Sequence, residues 1–134
     1  MRKVLTVLFL ILLCAGCAKG EETVEGMDAV SSLLILYDGA SEIGIDVVVN
    51  RETVEDEEAC AWEIIEKFIE DDFHTIKFCW EERDYPVRLT ADVFKDKQSQ
   101  MDGKKLFSFE YTAEDFNTTS NMKDNPEDFC LRIR

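Results

Sequence analysis

Between Thr53 and Phe94 the apolar residues change their spacing, and that change sets the fold class. Ala61, Trp62, Ile65, Phe68, Ile69 and Phe73 follow i, i+3, i+4, i+7 spacing, the stripe of a helix running from Thr53 to about Asp72. Thr53 stands as its N-cap with Asp56 three residues on, and Glu55 to Glu58 crowd the first turns, where the helix dipole favours anions. Glu63, Glu66, Lys67 and Glu70 cover the opposite face, with Cys60 off the stripe near Ile64 and Lys67. From Thr75 the period drops to two. Ile76, Phe78 and Trp80 alternate with Lys77, Cys79 and Glu81 over residues 75–82, and Arg83-Asp84-Tyr85-Pro86 reads as a turn. Val87, Leu89, Ala91 and Val93 then alternate with Arg88, Thr90 and Asp92, which predicts a β-hairpin of 75–82 with 87–94.

Two further strands follow by the same logic. Leu106–Thr112 places Phe107, Phe109 and Tyr111 inward, and Phe129–Ile133 places Phe129, Leu131 and Ile133 on one face with Cys130 and Arg132 on the other. Lys95–Lys105 reads as a polar loop with Asp102-Gly103 at its tip, and residues 113–128 as irregular, broken at Asn125-Pro126. Before the helix, the apolar run Leu33–Tyr37 meets the turn dipeptide Asp38-Gly39, and Gly44–Asn50 is rich in β-branched residues. These two runs pair as a hairpin through residues 38–43, or the first is the end of a helix starting near Asp28; length alone does not separate the two. The expected fold is α+β: one long amphipathic helix packed on an antiparallel sheet of about four to five strands, arranged as a meander after the helix.

The first seventeen residues carry a different message. Arg2 and Lys3 precede an apolar run from Val4 to Leu13, too short to span a bilayer core, and small residues follow. Leu13-Cys14-Ala15-Gly16-Cys17 resembles the lipobox of bacterial lipoprotein precursors, with Ala15 and Gly16 at the small positions and Cys17 at the modified cysteine. Cys14 departs from the pattern where leucine is usual, the leucine standing one place earlier as Leu13. The resemblance implies a signal peptide over residues 1–16 and a lipidated Cys17 whose acyl chains anchor the protein in a bacterial cell membrane or outer membrane, facing outside the cytoplasm. Ordinary secretion, with cleavage near Gly16 or Ala18, is the alternative. Residues 17–28, small and acidic, read as a flexible tether, and residues 29–134 as a single domain.

Charge narrows the partners. The chain carries a net charge of −14, and loss of residues 1–16, with Arg2 and Lys3 and no acid, takes it to −16. So acidic a surface repels phosphate backbones and excludes nucleic acid as a partner. Outside the cytoplasm a disulfide persists, and Cys60, Cys79 and Cys130 allow one bridge. Phe78-Cys79-Trp80 and Phe129-Cys130-Leu131 each set a cysteine outward between inward apolar residues. Neighbouring strands in register would pair Cys79 with Cys130; Cys60–Cys130, or three free thiols, are the other arrangements.

The residues single out no catalytic set and no cofactor. His74 is the one histidine, beside Asp71 and Asp72, and within residues 29–134 no Cys-x-x-Cys or His-x-x-x-His metal spacing occurs. Asp124, Glu127 and Asp128 gather oxygens around Asn125-Pro126 without the spacing of a calcium loop, and Asn117-Thr118-Thr119 matches a glycosylation sequon. These readings lean away from an enzyme, towards a non-enzymatic, membrane-anchored module that binds an envelope protein or a small ligand through the outer sheet face or the 113–128 loop. The alternative is a small secreted or anchored enzyme, or an accessory subunit of one, acting through carboxylates that the sequence leaves unmarked.

Overall fold

The computed structural model describes residues 26–116 and 119–134. The expected signal peptide, Cys17 and most of the expected tether lie outside these residues, as do Asn117 and Thr118 of the sequon match. Among the described residues the fold is α+β, a five-stranded mixed sheet with two helices, in which strands dominate. In chain order the elements are β1 (Asp28–Tyr37), β2 (Ala40–Val48), α1 (Glu57–Ile69), β3 (Arg88–Phe94), α2 (Lys97–Met101), β4 (Lys105–Ala113) and β5 (Phe129–Ile133). A 3-10 turn at Pro126–Asp128 leads into β5.

The strands stand side by side in chain order, β1-β2-β3-β4-β5. β1 and β2 form an antiparallel hairpin in which Tyr37 faces Ala40 across Asp38-Gly39, so the Leu33–Tyr37 run is strand and not helix. Gly39 takes φ 81°, a left-handed value that suits glycine at this turn. β2 then runs parallel to β3, from Glu42 opposite Arg88 to Val48 opposite Phe94. The sheet is therefore mixed and not antiparallel as expected. A parallel pair needs a long crossover, which residues 49–87 with α1 supply. β3–β4 and β4–β5 are antiparallel, as the alternation predicts.

The expected hairpin of residues 75–82 with 87–94 is absent: residues 75–82 form no strand. The reason lies in two carboxylates that capture amides a neighbouring strand would otherwise have to satisfy. Asp28 Oδ1 accepts from His74 N at 2.7 Å and Thr75 N at 3.2 Å. Asp71 accepts from Phe78 N at 2.7 Å and Cys79 N at 3.0 Å. Asp71 itself closes α1. It takes φ 57°, with Asp71 N donating to Phe68 O at 3.2 Å and Asp72 N to Lys67 O at 2.8 Å, the paired bonds of a Schellman ending. The helix is also shorter than expected. Asp56, not Thr53, is the N-cap, its side chain accepting from Ala59 N at 3.0 Å, and 13 helical residues follow. Within the polar loop after β3, Asp96 caps the five-residue α2 through Ser99 N, a bond that lowers the Asp96 carboxyl below the usual range.

One core joins Ala29, Ile43, Ile45 and Val47 to Leu89, Ala91 and Val93, to Phe107, Phe109 and Tyr111, and to the buried residues of α1. Those helix residues are Cys60, Ala61, Ile64, Ile65 and Phe68. Cys60 is thus inside the core, while Trp62 is exposed and meets the Tyr111 ring in a T-shaped contact, centroids 5.5 Å apart. The aromatic alternation of residues 75–82 is used by ring stacking instead of strand pairing. Phe78 stacks on Trp80 at 5.2 Å, Trp80 on Tyr85 at 4.7 Å, and both Phe78 and Trp80 meet Phe68. Trp80 Nε1 and Tyr85 Oη donate to the carbonyls of Phe68 and Ile69, so this loop caps the last turn of α1 with side chains.

Candidate binding edge and groove

β1 is an edge strand, and its second half is apolar on both faces. The register sets Leu33 opposite Gly44 and Ile35 opposite Glu42 on one face, and Leu34 opposite Ile43 and Leu36 opposite Ser41 on the other. Yet Leu33, Leu34, Ile35, Leu36 and Tyr37 are 65, 45, 43, 74 and 51 % exposed. A near-continuous apolar run is the pattern of a strand covered on both faces, whereas a strand with one wet face alternates. From Ala29 to Tyr37 there is no charge, in a chain where 33 % of residues are charged. The opposite edge shows how this sheet is protected elsewhere: β5 is five residues long and carries Arg132, with Arg134 just beyond it.

Beside this edge lies a groove of about 850 Å³. Leu34, Leu36 and Ile43 line it from the β1–β2 hairpin, and Trp80, Arg83 and Tyr85 line it from the loop after α1. Burial raises the Tyr85 phenol, so it remains a neutral donor to the Ile69 carbonyl. On the other face Tyr37 Oη donates to Glu42 Oε2 at 2.5 Å, and Arg88 Nη1 lies 2.7 Å from Glu42 Oε1. The Arg88 guanidinium sits 4.9 Å over the Phe116 ring. The Glu42 hydrogen bond is the main cause that raises the Tyr37 phenol above its ordinary value. Together these contacts hold the Tyr37 ring at the end of the apolar strip.

Comparison of the chain with protein-family models, curated proteins and solved structures gives no match.

The residues that the sequence singles out fall elsewhere. The His74 side chain is exposed, and its backbone N–H is the part tied down, by Asp28. Cys79 lies in the loop after α1 with φ 58°, and Cys130 lies on β5 opposite Thr112 of β4. The neighbouring-strand register on which a Cys79–Cys130 bridge was expected is not present, and Cys60, Cys79 and Cys130 are free thiols here. Burial raises the Cys60 thiol above its ordinary value. Around Asn125-Pro126 the oxygens serve the turn: Asn121 Oδ1 accepts from Lys123 N and Asp124 N, Asn125 Oδ1 accepts from Asn121 N, and Ser120 Oγ donates to Asp128. Among the described residues no three His, Cys, Asp or Glu side chains converge on a metal position. The outer sheet face carries half-buried Thr90, Asp92, Glu110 and Thr112, as its alternation predicts. The β1 edge is what sequence reasoning missed. Its signal was present in the unbroken Leu33–Tyr37 run, which alternates nowhere.

Proposed function

We propose that this chain is a lipid-anchored, extracytoplasmic binding module that holds an extended protein segment along the open edge of β1. One observation carries the reading: five consecutive large apolar side chains, 43 to 74 % exposed, on an edge strand whose outer side has no neighbouring strand and which carries no charge from Ala29 to Tyr37. Exposed apolar patches of this kind mark interaction sites, and an open sheet edge recruits a further strand through its main-chain groups. In this reading α1 is the cover of the inner sheet face, supported by the Trp62–Tyr111 contact, and β1 overhangs that cover. The groove between Leu36 and Trp80 then takes side chains of the bound segment. The anchor is Cys17, supported by the lipobox-like residues 13–17.

Two measurements test this. A photo-crosslinking residue placed at Leu36 in living cells should give a discrete protein adduct, while the same residue at Met101, also strongly exposed but far along the chain, should give none. Adducts from both positions, or from neither, would remove the β1 edge as a binding surface. Intact mass of protein from membranes should show a chain starting at Cys17 with a diacylglyceryl group; an unmodified chain in the medium would remove the anchor.

A further inference from the structure

We infer that the segment laid along β1 is β1 of a second copy, paired antiparallel about a two-fold axis to make one continuous ten-stranded sheet. This rests on the binding reading above and names its partner.

The backbone offers the pairing. Tyr37 and Ala40 flank the two-residue turn as a facing pair, and pairing alternates along the strand. Ser32, Leu34 and Leu36 consequently turn their N–H and C=O groups to the open side. A two-fold axis through Leu34 sets Leu34 against its own copy and Ser32 against Leu36. On the other face the same axis sets Leu33 against Ile35 and Ser31 against Tyr37. Large side chains thus meet small ones at both ends of the joint, and leucine or isoleucine meets its like in the middle. Such an isologous contact closes on itself and does not propagate.

Area and charge both favour a second copy. About half of five large side chains, each of order 200 Å², leaves roughly 500 Å² of apolar surface per copy and so roughly 1,000 Å² for two, the lower bound for a specific interface. A net charge of −14 opposes contact between two copies in general, but the strip from Ala29 to Tyr37 brings no charge into contact. A cationic partner would match the acidic faces instead, and this strip is where no acid stands. The two occupants differ in their response to salt. Screening weakens the repulsion between two acidic copies and strengthens their association, whereas it weakens attraction to a cationic partner.

The test is sedimentation of the full-length chain in density-matched detergent over a dilution series, with Leu34→Lys, Leu36→Lys and, as control, Met101→Lys. Wild type and Met101→Lys should sediment at twice the chain mass, more completely at higher salt. Each lysine on β1 should weaken self-association by more than about tenfold. Hydrogen exchange of the unmutated chain supplies a second readout: protection at Ser32, Leu34 and Leu36 should rise with protein concentration. A wild-type chain that is monomeric throughout, a dimer undiminished in both lysine variants, or a dimer dissolved by salt would each overturn the inference. A monomer that still crosslinks from Leu36 to another envelope protein would end the dimer and leave the binding reading intact. A monomer with no crosslink would end both.

Discussion

Asp28 decides more than its size suggests. It is 1 % exposed, stands at the first position of β1, and accepts from His74 N, Thr75 N and the Thr75 hydroxyl. Asp28→Ala leaves those donors without their acceptor and should cost about 3 kcal/mol, read as a lower urea midpoint. A loss under about 1 kcal/mol would mean that water replaces the carboxylate. Its sequence position, at the end of an acidic, tether-like stretch, hides this role, because the partner amides lie 46 and 47 residues away. The tyrosines make a second test at this scale. The Glu42 bond raises Tyr37, and burial raises Tyr85 and Tyr111, so all three phenols lie above the ordinary value of 10.0. Raised phenols stabilise the fold below pH 10, and that contribution is lost as pH rises through their folded values. Spectrophotometric titration should therefore show less than half of the tyrosine ionised at pH 10 in the native protein, with unfolding and the remaining ionisation together above it. Half-ionisation at pH 10 in the native state would contradict the Tyr37–Glu42 bond and the burial of the other two.

At the scale of elements, β3, β4 and the start of β5 were legible because one face is covered and the other wet, and alternation records that difference directly; Ile133, expected inward, is 36 % exposed at the end of β5. The helix was legible from its stripe, but its start was not. Thr53 and Asp56 both suit an N-cap, and Asp56 holds the position by accepting from Ala59 N. Asp56→Ala should cost about 1 kcal/mol by thermal or urea unfolding, while Thr53→Ala should cost little; the reverse order would restore the longer helix. Residues 75–82 misled because Ile76, Phe78 and Trp80 alternate without belonging to a strand. Alternation reports which side chains are covered. It does not report whether the backbone is paired, and here Asp28 and Asp71 supply the pairing. The parallel β2–β3 contact was invisible for another reason: Glu42 and Arg88 meet only after the whole crossover has folded back.

For the molecule as a whole, composition spoke to charge and to little of the site. A chain at −14 repels itself when compact, so added sodium chloride should raise its urea midpoint by screening. A midpoint that falls with salt would point to ion pairs such as Arg88–Glu42 as the dominant electrostatic effect. The open β1 edge was only half legible. The run Leu33–Tyr37 announces a strand meant to be covered on both faces, but only the sheet order shows that it stands at an edge with both faces open. The histidine, cysteine and carboxylate patterns lie elsewhere, because an apolar sheet edge contains none of them.

The Asp28 clamp has one more consequence, and it concerns force. Any pull that reaches the fold from its N-terminal side meets β1 at the end away from the 38–39 turn, so the hairpin would open like a zip, one rung at a time. The bonds from His74, Thr75 and the Thr75 hydroxyl sit at the very first rung. They make Asp28 the latch that must break before tension can travel any further along the strand.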